Sequence, residues 1–320
     1  MQSNKTLYLF LYFCLFKTVY INAQLNPRIF FKPSDSLNHT RILLAGAFTF
    51  CTYSTFSIGL YHAWYKKHNL TKFHYFNDFG EWQQMDKLGH LFNGYFQSDF
   101  CYNGALWTGV NRKKSLWIGI GISQLFQTTI ELFDGHSKDW GFSWPDIAAN
   151  LVGSTFFLGQ DLLWHKQKLL LKFSTFPTKY SLNPVIKERV KEIYGTHLLE
   201  KLLKDYNAQT YWLSFNPNLF AAKLPWPPFL NFSIGYGSSG LYGAYENAWI
   251  DNQGLNINLD AQSNPRLHQY YFSFDLDLRK IHVKNHFLKT SLRILNIIKF
   301  PSPTLELNSK GVLKGHWLYF

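Results

Sequence analysis

The chain has 320 residues, enough for one large domain or two ordinary ones. Aromatic residues make up 19% and charged residues only 16%, against a usual charged share near ~25%, which excludes a disordered chain and suits a very apolar or lipid-facing one. The formal charge of +12 is spread in small groups beside apolar segments: Lys66-Lys67, Arg112-Lys113-Lys114, Lys166 to Lys172 and Lys187 to Lys204. That placement favours anionic lipid head groups over nucleic acid, for which no motif is present.

The N-terminus, MQSNKTLYLFLYFCLFKTVYINAQ, has the order of a secretory signal. Lys5 is followed by an apolar run from Leu7 to Phe16 and then by small residues. A signal peptide over 1–23, cut after Ala23, is expected; an uncleaved anchor is the alternative. Small residues do not precede Cys14, so a lipid-modified cysteine is not expected there. Cys51 and Cys101 lie in apolar segments, where a cysteine is usually a small buried hydrophobe, and no disulfide is expected.

Four apolar segments follow, at about 40–65, 86–110, 114–133 and 144–165. Each is near the ~20 residues that cross a bilayer core, and each carries polar residues inside it. Lys66-Lys67 and Arg112-Lys113-Lys114 fall on opposite sides of any alternating topology, against the positive-inside tendency. The helices therefore either span a membrane or form a compact bundle that partly enters one. PVIKERVKEIYGTHLLEKLLKDY (184–206) has apolar positions at helical spacing and Gly195 in its middle, which predicts one broken amphipathic helix or two short ones.

From Asn207 the texture changes to aromatics, glycine and two-residue alternation. Phe272, Phe274, Leu276 and Leu278 alternate with Ser273, Asp275 and Asp277, which predicts a strand with one buried face. Asn308-Ser309-Lys310-Gly311 predicts a hairpin turn between 304–307 and 312–320. HFLKTSLRILNIIKF (286–300) predicts a basic amphipathic helix, packed on the sheet or lying on a membrane surface. Five or six strands are expected. A lone membrane barrel needs at least ~8, so a closed barrel is not expected, although the terminal Trp317-Leu318-Tyr319-Phe320 resembles the aromatic end of outer-membrane barrel strands.

The polar residues of the apolar segments are ordered. Asp86, His90, Asn93 and Gln97 recur at helical spacing, as do Ser123, Gln127, Glu131 and Asp134, and then Asp146, Asn150 and Gly153. This inverts the pattern of a soluble helix. An ionisable group costs roughly 2.5–3.5 kcal/mol in lipid, so these faces should turn inward and meet. A buried cluster of Asp86, His90, Glu131, Asp134, Asp146 and Asn150 is predicted, with Lys87 beside it or reaching toward an interface. Three main readings of it stay open, beside a ligand or ion path. It is internal scaffolding. It is a divalent metal site of His90, Asp86, Glu131 and Asp146. Or it is an acid–base site in which Asp86 or Glu131 orients His90. No serine or cysteine has the setting of a nucleophile. His62, His68 and His74 read as loop residues, and His136 as a loop neighbour of the cluster.

Asp86-Lys87-x-x-His90, Glu131-x-x-Asp134 and Trp140-Gly-Phe-Ser143-Trp144-x-Asp146 together resemble the YfiM-like family of predicted bacterial periplasmic lipoproteins, a family without assigned function. Asp-Lys-x-x-His, Glu and Asp146-x-x-x-Asn150-x-x-Gly153 are also similar to the wider VanZ-like membrane proteins. These motifs lie within 80–165. The stretch from Asp205 to Ser214 looks like the longer form of the first family. The resemblance implies an envelope location and supplies no catalytic residues. The chain departs from the lipoprotein pattern in lacking an acceptor cysteine after its signal.

The expectation is an α+β protein: a helical bundle of about four apolar helices (24–172), an amphipathic connecting helix (173–206) and a mostly antiparallel β-rich domain (207–320). Its expected role is that of an exported, membrane-associated envelope protein on the periplasmic side, non-enzymatic, binding membrane lipid or an envelope protein partner and no nucleic acid. The alternative is a metal-assisted or acid–base hydrolase or transferase acting on a lipid or cell-wall precursor.

Overall fold

A computed structural model describes residues 30–62, 70–220 and 224–320. The predicted signal peptide lies outside the described residues. Four long helices come first: α1 (His39–Leu60), α2 (Met85–Trp107), α3 (Arg112–Asp134) and α4 (Trp144–Trp164). Three of them start on a capping side chain. Asn38, Asn111 and Ser143 accept the backbone N–H groups of Arg41, Lys114 and Asp146, supplying partners that a helix start lacks.

Helix α2 is central and packs along both α3 and α4. Glycines let the backbones touch. A Cβ on Gly153 would lie 2.0 Å from the carbonyl oxygen of Leu91, and one on Gly94 would lie 2.4 Å from that of Asn150. The seam is polar. Ser98, Ser123, Gln127 and Ser154 are buried in it, and Gln124 donates to the Ser154 hydroxyl at 2.7 Å. Trp117, Leu125, Leu151 and Leu163 point outward and are exposed. The inward turn of the polar faces follows the expectation from their spacing.

Helix α1 differs. Of its residues only Arg41 is buried, while Leu43 and Phe50 are 70% and 71% exposed. Among the described helices it is the one long and apolar enough to cross a membrane.

The chain leaves α4 at His165 and enters strand β1 (Leu169–Thr175) at once. Strand β1 runs across the expected division at 172/173 and belongs to the sheet. Two short helices follow, α5 (Pro184–Tyr194) and α6 (Leu198–Lys204), broken at Gly195, whose φ of +76° suits glycine. Then come β2 (Gln209–Phe215), β3 (Leu230–Ser239), β4 (Ala248–Ile250), β5 (Asn256–Asn258), β6 (Leu267–Leu276), α7 (His286–Leu295), β7 (Ser302–Asn308) and β8 (Leu313–Tyr319). The expected hairpin turn joins β7 to β8, and the amphipathic helix is present as α7. The architecture is α+β.

Six strands form one antiparallel sheet in the order β1-β2-β3-β6-β7-β8, and β4 pairs with β5 alone. The sheet curls strongly. Tyr319 on β8 reaches Thr210 on β2 (3.1 Å) and Tyr271 on β6 (2.8 Å), and its ring stacks on Phe176, just past β1. The outer edge of β1 is partnered by 297–299. Phe173 N–H donates to the Ile297 carbonyl (2.8 Å), and Lys299 N–H donates to that of Phe173 (3.0 Å).

The alternation along β6 is as expected, but the buried face is the polar one. Ser273 and Asp275 are buried, while Phe272 and Phe274 are 47% and 41% exposed. Inside the curl, Lys172 pairs with Asp275 at 2.6 Å, both fully buried, and Ser214 donates to the same carboxylate at 2.6 Å. The Lys299 ammonium lies 4.7 Å from the Trp212 ring centre and donates to Ser302.

Candidate functional site: a lysine among buried carboxylates

The site forms where the starts of α2 and α4 meet the end of α3. At its centre is Lys87, on the first turn of α2 and buried. Its ammonium lies 2.8 Å from Asp78, 2.8 Å from Asp86 and 2.6 Å from Asp146. The expectation that Lys87 flanks the cluster or reaches toward an interface is therefore corrected. The lysine is the cation on which the carboxylates converge. A buried charge needs such partners, because its desolvation costs several kcal/mol.

His90 lies one turn along α2. Its Nε2 faces three carboxylates, 3.9 Å from Asp86, 3.8 Å from Glu131 and 3.7 Å from Asp146. Its Nδ1 is 3.2 Å from Oδ1 of Asn150, the fully buried amide on α4. Donation from Nδ1–H to that oxygen orients the ring and turns Nε2 to the acids. Glu131, at the end of α3, is fully buried. Its Oε2 accepts the Ser143 backbone N–H (3.2 Å), and its Oε1 has no hydrogen-bond partner. Asp134, the last residue of α3, is half-buried and acts on the centre as a charge beside Glu131.

The structure thus brings together Asp86, His90, Glu131, Asp146 and Asn150, with Asp134 at the margin. It adds residues that spacing did not reveal. Asp78 lies in the loop before α2, and its second oxygen accepts the Ser143 hydroxyl at 2.6 Å. Ser143 both caps α4 and bonds Asp78. Tyr206, from the segment between α6 and β2, donates to Asp86 at 2.7 Å and ties the C-terminal half to the centre. His74 and His136 bond main-chain carbonyls of Trp140 (2.6 Å) and Thr71 (3.4 Å), as loop residues do.

The turn that delivers Asp86 and Lys87 is unusual. Trp82, Gln83 and Gln84 hold φ of 49°, 50° and 69°, a left-handed run of non-glycine residues. Each costs on the order of 1–2 kcal/mol and persists only if its surroundings impose it. The β half does so. Trp82 N–H donates to the Ala244 carbonyl (2.8 Å), and the Tyr236 hydroxyl donates to the Gln83 carbonyl (2.7 Å). The Trp82 ring also packs on Tyr194 and Tyr206.

Three carboxylates around one ammonium, with Glu131 close by, cannot all be ionised cheaply. Burial works against the Asp86 anion, but His90 and Lys87, with the Tyr206 hydroxyl, outweigh it and hold Asp86 down at about 2. Burial disfavours the Lys87 ammonium, yet Asp86 and Asp146 keep it above its ordinary value. Burial, with Asp134 beside it, pushes Glu131 up to about 9, so it is a neutral acid at pH 7. Burial and the nearby Asp86 also raise Asp146, against the pull of Lys87. Glu81, in the strained turn, is raised to about 7 by burial and by Asp78.

Donor atoms of Asp86, His90 and Asp146 lie within 4.8 Å of one another, the spacing of a metal-ligand group. The chemistry of the set is less favourable. Asp86 already neutralises Lys87, and Glu131 and Asp146 are both pushed toward their protonated forms. A divalent ion here would sit next to an ammonium and would have to displace protons.

Residues 74–159 match a family model described as "Predicted periplasmic lipoprotein (DUF2279)". The segment is similar to that family. It contains the acids of the centre, Lys87, His90, Ser143 and Asn150; Tyr206 lies beyond it. No curated protein and no solved structure matches the chain. The match accords with export, and the protein is assigned to the cell envelope, membrane-associated on the periplasmic side. Nothing in these findings bears on the VanZ-like resemblance.

Proposed function

We propose that this envelope protein is a non-enzymatic, lipid-binding component whose charged centre is internal scaffolding. The observation that carries the reading is the buried Lys87 ammonium, held 2.6–2.8 Å from three carboxylates. Such a centre is saturated by its own counter-ion. The hydroxyls that touch it are already committed: Ser143 to Asp78 and to the α4 cap, Tyr206 to Asp86. The centre locks three helices together and, through Tyr206, joins them to the sheet. Lipid is the favoured partner because α1 exposes an apolar body and the net charge is +12. An envelope protein is the second candidate for that surface, and nucleic acid has no motif to meet it. Flotation of the mature protein with vesicles containing phosphatidylglycerol tests the reading. Binding is expected; a protein that stays soluble without detergent and ignores the vesicles overturns it.

A second reading, a metal-assisted or acid–base hydrolase or transferase on a lipid or cell-wall precursor, has one observation in its favour. Oε1 of Glu131 is unpartnered and 3.8 Å from His90 Nε2, an acid and a base face to face. Divalent metal bound at Asp86, His90, Glu131 and Asp146 would support it.

A further inference from the structure

The six-stranded sheet is built with its polar side in and its apolar side out. One register row runs Ser214, Ser233, Ser273 and Thr304, all buried. The row on the opposite face runs Ile234, Phe272 and Leu305, which are 52%, 47% and 51% exposed. Tyr270, Leu307 and Trp317 extend this exposed face. A sheet in water does the reverse, burying its apolar face. Sheets with polar interiors and apolar exteriors are those surrounded by lipid.

We propose that the outer face of this sheet lies in the acyl-chain region of an anionic membrane. The proposal rests on the membrane association argued above and adds the surface that makes it. Three further features fit. One of the two sheet edges, that of β1, is partnered by 297–299, as main-chain groups in lipid require. Outward positions on β3, from Leu230 through Phe232 to Ile234, cover about 13 Å at ~3.3 Å per residue, a depth that enters the hydrocarbon core. From Leu278 to Phe320 the chain carries eight Lys and Arg residues and one acid, Glu306. Lys280, Lys284, Lys289, Lys310 and Lys314 of these are exposed and complement anionic head groups.

The test uses the full mature chain in phosphatidylethanolamine–phosphatidylglycerol vesicles. Single cysteines at Leu305→Cys and Phe272→Cys, with Lys310→Cys in the hairpin turn as reference, carry an environment-sensitive fluorophore; the other cysteines are serine. Labels at 305 and 272 should be quenched several-fold more by acyl-chain nitroxides than the label at 310. If the protein floats but labels at 305 and 272 are quenched by aqueous iodide as strongly as that at 310, the sheet is wet. The proposal then fails while membrane association stands. Protection from both quenchers with cross-linking to a second copy would overturn it in favour of a protein occupant. A protein that does not float overturns both. Should the labelled variants misfold, a diazirine on the acyl chain of added lipid decides the matter in the unmodified protein. Labelling of β6 and β7 above β4 and β5 supports the proposal, and equal labelling overturns it.

Discussion

Replacing Lys87 by methionine keeps the length of the side chain and removes the ammonium shared by Asp78, Asp86 and Asp146. At least one of these carboxylates must then take up a proton for the centre to stay folded. From an ordinary value near ~3.9, that costs about 4 kcal/mol at pH 7, at ~1.36 kcal/mol per pH unit. It agrees with the ~3–5 kcal/mol lost when one partner of a buried ion pair is removed. At pH 5 the same proton costs only about 1.5 kcal/mol, so the defect should shrink by more than half. Urea unfolding in mild detergent, followed by tryptophan fluorescence at both pH values, measures it. A loss below ~1 kcal/mol at pH 7, or one equal at the two pH values, would refute the view that Lys87 is the buried counter-ion.

Three further outcomes are expected. Glu131 is raised from its ordinary 4.5 to about 9, so its stabilising contribution is fully present below 4.5 and is lost as pH climbs to about 9. Glu131→Gln should leave stability within ~1 kcal/mol below pH 4.5 and remove a fall of ~1.4 kcal/mol per pH unit between that pH and about 9, so that the variant is the more stable by about 3 kcal/mol at pH 7, read from unfolding curves. Gly153→Ala places a methyl 2.0 Å from the Leu91 carbonyl oxygen and should cost at least ~2 kcal/mol or shift the unfolding midpoint accordingly, by forcing α2 and α4 apart. Lys172→Met should cost ~3–5 kcal/mol, and adding Asp275→Asn should recover part of it, a coupling that a double-mutant cycle in the same unfolding assay reads directly.

Much of the site was legible because helical spacing converts directly into geometry. Asp86 and His90 one turn apart, Glu131 late in α3, and Asp146 with Asn150 had to share inward faces once the rest of each helix was apolar. Lys87 was misplaced because it sits about 100° around the helix from Asp86, off the polar line. Its long side chain crosses that angle. Asp78 and Tyr206 left no periodic signal, since one lies in a loop and the other joins α6 to β2. Strand β1 was missed because Leu169-Leu170-Leu171 does not alternate and Lys172 reads as a surface base, whereas it is the buried partner of Asp275. In the sheet, alternation at Phe272 to Asp275 gives the period and not its sense. Which face turns inward depends on what surrounds the protein, and polarity alone does not say.

The claim that the centre is its own scaffold, with Lys87 as its cation, is tested most directly by elemental analysis of the mature, detergent-purified protein beside a His90→Ala/Glu131→Ala double variant. The account predicts no stoichiometric divalent metal in either protein and a clear loss of stability in the variant. Stoichiometric metal in the native protein and none in the variant would contradict it and move the centre to the catalytic reading.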